Sequence, residues 1–251
     1  MTLACLEVPL EEAKGFGVIQ MNDIQHIVHF EEKPINPRPI PGQPQRALVS
    51  MGIYIFNWLF LRQILLMDAA DSLSGHDFGK DIIPRWISKA RLGAYQFRDN
   101  SGNFPGYWRD IGTIDAYFDA HMDLLQKNAP LNLYDRDWPI FSYSPFLPPA
   151  HFMQHNDNVH GIALDSMICD GAVIAGAHVR NSVISINVNI ANGAHIDHCV
   201  VLPGAEIGAY CKLKNVIVDC NCKIPPGTVI GYEQEKDREP HLVSHKGITV
   251  V

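Results

Sequence analysis

GAVIAGAHVRNSVISINVNIANGAHIDHCVVLPGA, residues 171–205, decides how the second half of this chain folds. Within and around it an aliphatic residue returns every six positions, in registers that shift at turns: Ile162, Ile168 and Ile174; then Ile184, Ile190, Ile196 and Leu202; then Ile207 and Leu213; then Val218, Ile224 and Ile230. Small residues stand beside them in Asp170-Gly171-Ala172, Ala175-Gly176-Ala177, Pro203-Gly204-Ala205 and Pro226-Gly227-Thr228. A six-residue repeat with tight corners is what a parallel β-helix needs, because each side of a triangular coil is one short strand and its aliphatic residue joins a stacked interior. At about 18 residues per coil, the span from Ile162 to Ile230 makes about four coils, a small solenoid that needs covering at its ends. A β-sandwich offers similar aliphatic density, but with a period of two and irregular turns.

Upstream the pattern changes twice. Residues 128–160 carry Pro130, Pro139, Pro145, Pro148 and Pro149 with no sustained period, as expected of a connector or a wrapped extended segment. Residues 1–127 mix strand and helix signals, which indicates an α/β domain. Leu48–Phe56 is a nearly all-apolar run rich in β-formers and reads as a strand in the middle of a sheet. Helices are expected over Trp58–Met67, around Ile83, Trp86, Ile87 and Ala90 with Pro84 in the first turn, and after Thr113 as N-cap. The division is therefore 1–127, 128–160 and 161–251.

Composition sets outer limits. With 251 residues, 47% of them hydrophobic, the chain is globular, with one large core or two smaller ones. A net charge of -7 argues against a nucleic-acid surface, while a local basic pocket for a phosphorylated metabolite stays admissible. MTLACLEVPLEEAKG has no basic n-region and no stretch approaches the roughly 20 apolar residues of a membrane span, so the chain reads as cytoplasmic. The six cysteines show no C-x-x-C pair, and three sit among valines and isoleucines, as buried reduced thiols do.

HFEEKP, residues 29–34, raises a chemical question: an alternating segment runs straight into two acids, a lysine and a proline. Pro34 cannot donate to a sheet ladder, so the strand stops there, with Glu31, Glu32 and Lys33 at a sheet edge, where parallel α/β folds place ligand crevices. Taken alone, the cluster reads as a solvated strand end with exposed ion pairs. His195 and His198 lie inside the six-residue repeat and read as coil-surface residues rather than a metal pair. No Ser-His-Asp or Cys-His constellation stands out.

FEEKP, SMGIYIF, HDFGKDIIP and YWRDIGT, in that order, with YDRDWPI and LPPAHFMQ in the connector, resemble bacterial ADP-glucose pyrophosphorylase, also called glucose-1-phosphate adenylyltransferase. The resemblance runs from Thr2 to about Gly247 and covers the C-terminal two thirds of that family. It implies part of a Rossmann-like nucleotidyltransferase domain followed by a left-handed parallel β-helix, and conversion of ATP and α-D-glucose 1-phosphate into ADP-glucose and pyrophosphate for glycogen biosynthesis. By the same resemblance Glu32 accepts hydrogen bonds from glucose hydroxyls, Lys33 neutralises the sugar phosphate, Gly17 allows close backbone approach and Ser50 supplies one more hydroxyl contact. Asp110, in YWRDIGT, matches a carboxylate that binds Mg2+ at the catalytic centre. Chemistry agrees: a carboxylate suits vicinal hydroxyls, an ammonium suits a phosphate dianion, and Mg2+ takes hard oxygen ligands.

The family's glycine-rich phosphate loop, G-G-x-G-T-R-like, and its first metal-binding aspartate have no match in this sequence. A fragment that begins at an internal methionine, inactive by itself, is therefore expected, with a homotetramer for the whole protein. Three other readings stay open: a nucleotidyltransferase for another sugar 1-phosphate, such as mannose-1-phosphate guanylyltransferase; a noncatalytic regulatory or assembly module; and a hexapeptide acyltransferase.

Overall fold

Five strands build the first sheet: β1 (Thr2–Pro9), β2 (Gly17–Met21), β3 (Ile27–Glu32), β4 (Arg46–Ile55) and β5 (Gly93–Gln96). The computed structural model describes residues 1–98, 106–156 and 159–251, which fall into two units, Met1–Trp108 and Arg109–Val251.

In the first unit the strand order is β3-β2-β4-β1-β5, so β4 is central, as its apolar run demands. Burial is confined to its first half: Ala47 to Met51 are buried, while Ile53 and Ile55 are exposed. Only β1 and β5 pair in parallel; the other three pairings are antiparallel. The crevice expected beyond parallel strand ends is thus corrected to the edge of an antiparallel ribbon, because a short turn at Asn22–Gln25 joins β2 directly to β3. Asn22 Oδ1 accepts from the backbone N–H groups of Ile24 and His26 and holds that turn. The pairing of β2 with β3 skips Val28, and this bulge puts both Ile27 and Phe30 into the core three residues apart. Strict alternation, read from the sequence, fails there for that reason.

Helix α1 (Trp58–Ala69) starts at Asn57, whose Oδ1 accepts from Leu59 and Phe60 N–H. The second helix begins earlier than its apolar signal. Asp77 caps a π-turn, Phe78–Ile82, which runs into α2 (Ile83–Trp86) with Pro84 in the first turn.

In the second unit three parallel ladders form a solenoid of about four turns, the expected β-helix. Its interior stacks Ile174, Ile190, Ile207 and Ile224 on one side, Val179, Ile196, Leu213 and Ile230 on the next, and Ile168, Ile184, Val201 and Val218 on the third. Successive members lie 16 or 17 residues apart, so a coil is shorter than the expected 18. One residue is lost in each coil at the same corner, where Asp165, Asn181, His198 and Asn215 each turn the chain with a single positive-φ residue, and the first coil loses a second between Ile174 and Val179. That corner explains two misplacements. Ala163 rather than Ile162 faces inward, and Val201 rather than Leu202 does. The stack also begins within the proline-rich region, since His151–Asn156 pairs in parallel with Val173–Ala175.

Helix α3 (Ile114–Asp123) has Thr113 as its N-cap, the Oγ1 accepting from Ala116 N–H. It packs on the third side of the solenoid, where its buried Phe118 meets Val200, Ile217 and Ile248. Near the C-terminal end, Asp237 accepts from Gly231 N–H at 2.8 Å. Gly231 has φ +85 and lies so close to the Lys214 carbonyl that any side chain would collide with it. No helix among the described residues is long and apolar enough to cross a membrane. All six cysteines are free thiols, and burial pushes Cys5 and Cys199 up to about 12, which keeps them inert.

Candidate functional site

Glu31 and Glu32 part company at the end of β3. Glu31 is exposed and pairs with His29 at 3.5 Å, the solvated role that either acid was equally able to take. Glu32 turns to the other face. There it stands opposite Gly17 in the β2–β3 register, and a Cβ on Gly17 would strike both Phe30 and the Glu32 carboxylate. A Cβ on Gly79 would overlap the same carboxylate. Two glycines from separate elements thus make a slot for one acid. Gly17 serves the carboxylate directly, in addition to any approach it allows a ligand.

Lys33 leaves the strand with φ +49, a left-handed conformation that costs a non-glycine residue about 1–2 kcal/mol. Its N–H donates to the Phe16 carbonyl at 3.0 Å, which holds the turn, and Pro34 is buried behind it. The side chain of Lys33 is left exposed at the rim. Strain that the surroundings enforce is a common feature of ligand sites.

Ser50 is buried within β4, opposite Cys5, rather than at the strand's end. Its Oγ accepts from Gly52 N–H at 3.2 Å. Tyr54 follows four residues on, on the same side of the sheet. Burial pushes its phenol above the usual value, Ser50 opposes that rise by hydrogen bonding, and the carboxylates of Glu32 and Asp77 add to it. Phe78 stacks on Tyr54 with ring centroids 5.7 Å apart, and Phe56 leans on Phe78 at 5.8 Å.

Asp77 joins the site from the loop before α2. Its Oδ1 accepts from Gly79 and Lys80 N–H, both at 2.8 Å, so the carboxylate is fixed by the turn it caps. Burial raises the Glu32 carboxyl above 4.5, and the Asp77 charge raises it further, against smaller opposing effects of Lys33 and Lys80. Two carboxylates, two ammonium groups, a serine, a tyrosine and an aromatic wall therefore gather in one part of the first unit.

The loop carrying Asp77 is itself clasped. Asp68, almost fully buried at the end of α1, accepts from Ser74 Oγ at 2.6 Å and meets His76 Nδ1 at 2.7 Å, while Asp71 pairs with Arg85 of α2 at 2.7 Å. Hydrogen bonds from Ser74 and His76 hold the Asp68 carboxyl below its usual 3.8. His76 takes φ +59 to make its contact.

Of the residues read from the sequence, Gly17, Glu32, Lys33 and Ser50 come together in the first unit. Asp110 falls in the second, where it is exposed and lies against Gly112. No group of three potential metal-ligating side chains occurs among the described residues. Sequence reading missed Tyr54, Asp77 and Gly79. The signal was present in HDFGKDIIP, where Asp-x-Gly before an apolar run marks a capped helix start aimed at a site.

Residues 1–127 match the family described as Nucleotidyl transferase, and residues 148–251 match the GlmU-like, C-terminal hexapeptide family. Glucose-1-phosphate adenylyltransferases of Dechloromonas aromatica (strain RCB), Methylococcus capsulatus (strain ATCC 33009 / NCIMB 11132 / Bath) and Shewanella sp. (strain ANA-3) are 47%, 46% and 47% identical to the whole of this chain. The chain spans 58%, 59% and 60% of their respective lengths. With half of its residues matched, including the sheet that carries Glu32, Lys33 and Asp77, the chain belongs to the nucleotidyl transferase family.

Proposed function

We propose that this chain carries the sugar-phosphate side of a glucose-1-phosphate adenylyltransferase, which joins ATP and α-D-glucose 1-phosphate into ADP-glucose and releases pyrophosphate. One observation carries the reading: the Glu32 carboxylate sits in a slot between Gly17 and Gly79, beside Asp77, with lysines at the rim. Ionised carboxylates accept from the vicinal hydroxyls of a hexose. Lys33 and Lys80 neutralise its phosphate, and the Tyr54–Phe78 pair offers an apolar wall to the ring. In the reaction a sugar-phosphate oxygen attacks the α-phosphorus of ATP and pyrophosphate leaves in line. No side-chain nucleophile is needed, so positioning and charge neutralisation supply the catalysis.

Asp110 is the residue that would hold Mg2+. A single exposed carboxylate fits an ion that commonly takes one or two carboxylates plus substrate phosphates. Bound Mg2+ would supply charge neutralisation on phosphate oxygens. The whole protein is proposed to be a cytoplasmic homotetramer serving glycogen synthesis, with ATP and glucose 1-phosphate as its partners and neither nucleic acid nor membrane. Calorimetric titration of the chain with glucose 1-phosphate, mannose 1-phosphate and glucose 6-phosphate tests the sugar assignment. Preference for glucose 1-phosphate supports it, and equal or stronger binding of mannose 1-phosphate would move the substrate to another hexose.

A further inference from the structure

Arg109 stands directly before Asp110 and is held by the far end of the helix that follows it. Its Nε and Nη2 donate to Oδ2 of Asp123 at 2.8 and 2.7 Å, while Oδ1 of the same carboxylate accepts from Gln126 Nε2 at 3.1 Å. Asp123 is buried in the last turn of α3, 14 residues on from Arg109. That helix has 10 residues and is about 15 Å long at the usual rise, so residues 109–113 lie back along it rather than project away from it. Thr113, the N-cap, fixes the other end of this strap.

The helix is fixed in turn. Phe118 is buried against the solenoid. On another side the hairpin near the end of the chain grips the first turns of α3: Asp115 accepts from Ser244 Oγ and from Lys246 N–H, and Lys246 Nζ pairs with Asp119 at 2.7 Å. Between these anchors Asp110 stands apart. It is exposed, lies against Gly112 and accepts from no group among the described residues. Its backbone is tied down on both sides while its oxygens are left open, which is the arrangement a ligating carboxylate requires. Stability alone gives little reason for the strap, because desolvating Asp123 offsets much of its attraction to Arg109.

We propose that Arg109 and Asp123 are positioning residues for Asp110: their pairing lays the strap along α3, and the strap aims the Asp110 carboxylate at a divalent cation. The inference rests on the reading of Asp110 as the residue that would hold Mg2+ and adds what orients it. Groups that orient a ligating side chain without touching the metal commonly govern its affinity about 10- to 100-fold. The signs of two substitutions separate positioning from simple charge. Arg109→Gln removes a cation beside Asp110 and by charge alone would tighten a divalent cation, whereas Asp123→Asn removes a carboxylate and would loosen it. Positioning requires both to loosen it, and the double variant to lose no more than either alone.

The test is titration of the 251-residue chain with Mn2+, read as paramagnetic broadening of the Ile111 and Gly112 amide resonances, with circular dichroism to confirm that each variant is folded. Broadening in the parent that is absent in Asp110→Asn, and that needs about tenfold more Mn2+ in Asp123→Asn and in Arg109→Gln, is the expected result. Arg109→Lys keeps the charge and loses the paired N–H donors, so it should fall between parent and Arg109→Gln, and it carries the test should Arg109→Gln not fold. Broadening that is unchanged in Asp123→Asn, or that shifts in opposite directions in the two single variants, would overturn the positioning role while leaving Asp110 as a cation ligand. No broadening in the folded parent would remove the cation from Asp110, and the proposal with it.

Discussion

Glu32 is the residue on which the site turns, and its environment gives it a sign. The folded carboxyl titrates above its ordinary 4.5 because of burial and then Asp77. Protonation therefore favours the fold: that stabilisation is complete below 4.5 and is lost as pH rises through the raised value. Ligand binding runs the other way, because hydroxyls donate to the ionised form. Affinity for glucose 1-phosphate should fall as pH drops through a value above 4.5, and Asp77→Asn should move that limb downward while Asn keeps the cap. The ligand's own phosphate titrates identically in both proteins, so the displacement between the two curves is the measurement; superimposable limbs would separate Asp77 from Glu32. Gly79→Ala should displace the Glu32 carboxylate and weaken binding about tenfold or more, with the fold retained, since the collision is with a side chain alone. The family resemblance named Glu32, whereas HFEEKP by itself revealed that a cluster ended the strand and not which acid turns towards Gly17. Alternation within the strand decides that, and the bulge at Val28 set the phase.

Between elements, the Asp68–Ser74–His76 clasp ties the end of α1 to the loop that presents Asp77. With its folded carboxyl below 3.8, Asp68 contributes stability that is present above 3.8 and lost as pH falls through the depressed value. Asp68→Asn should therefore raise the protease sensitivity of the 70–77 loop at neutral pH and weaken glucose 1-phosphate, with little effect on the solenoid's unfolding. Limited proteolysis alongside circular dichroism checks this, and a loop as resistant as the parent's would remove the clasp from the account of the site. Such a clasp was illegible in DSLSGHD, because Ser, Asp and His in a polar loop are ordinary turn formers. Only the burial of Asp68 distinguishes them. By contrast Thr113 was visible as a cap, since a cap is a local event that the sequence spells out, while Asn57 went unread although it stands directly before Trp58.

At the scale of the whole molecule, the solenoid was legible because every coil repeats the same constraint, and repetition averages out local ambiguity. What escaped was the short corner at Asp165, Asn181, His198 and Asn215, where one left-handed residue replaces a longer turn and moves Leu202 out beside α3. Leu213, fully buried at mid-stack, should cost about 2–5 kcal/mol on Leu213→Ala, and denaturant melts monitored on the parent and the variant would show it. A change below about 0.5 kcal/mol would mean that the interior is loosely packed. The first unit presents a different surface: Ile55, Trp58 and Leu59 are exposed around the start of α1, and Leu66 is exposed in its last turn. An apolar patch of that kind drives association, and Trp58→Lys with Leu59→Lys should lower the chain's self-association in analytical ultracentrifugation. The measurement that bears most directly on the central claim is calorimetric titration of residues 1–251 with glucose 1-phosphate, beside Glu32→Gln. The expected result is one saturable site in the parent, weakened about 10- to 100-fold by the loss of a charged acceptor. Unchanged affinity in Glu32→Gln, or no binding to the parent while its fold is intact, would contradict the assignment of this part of the first unit to the sugar phosphate.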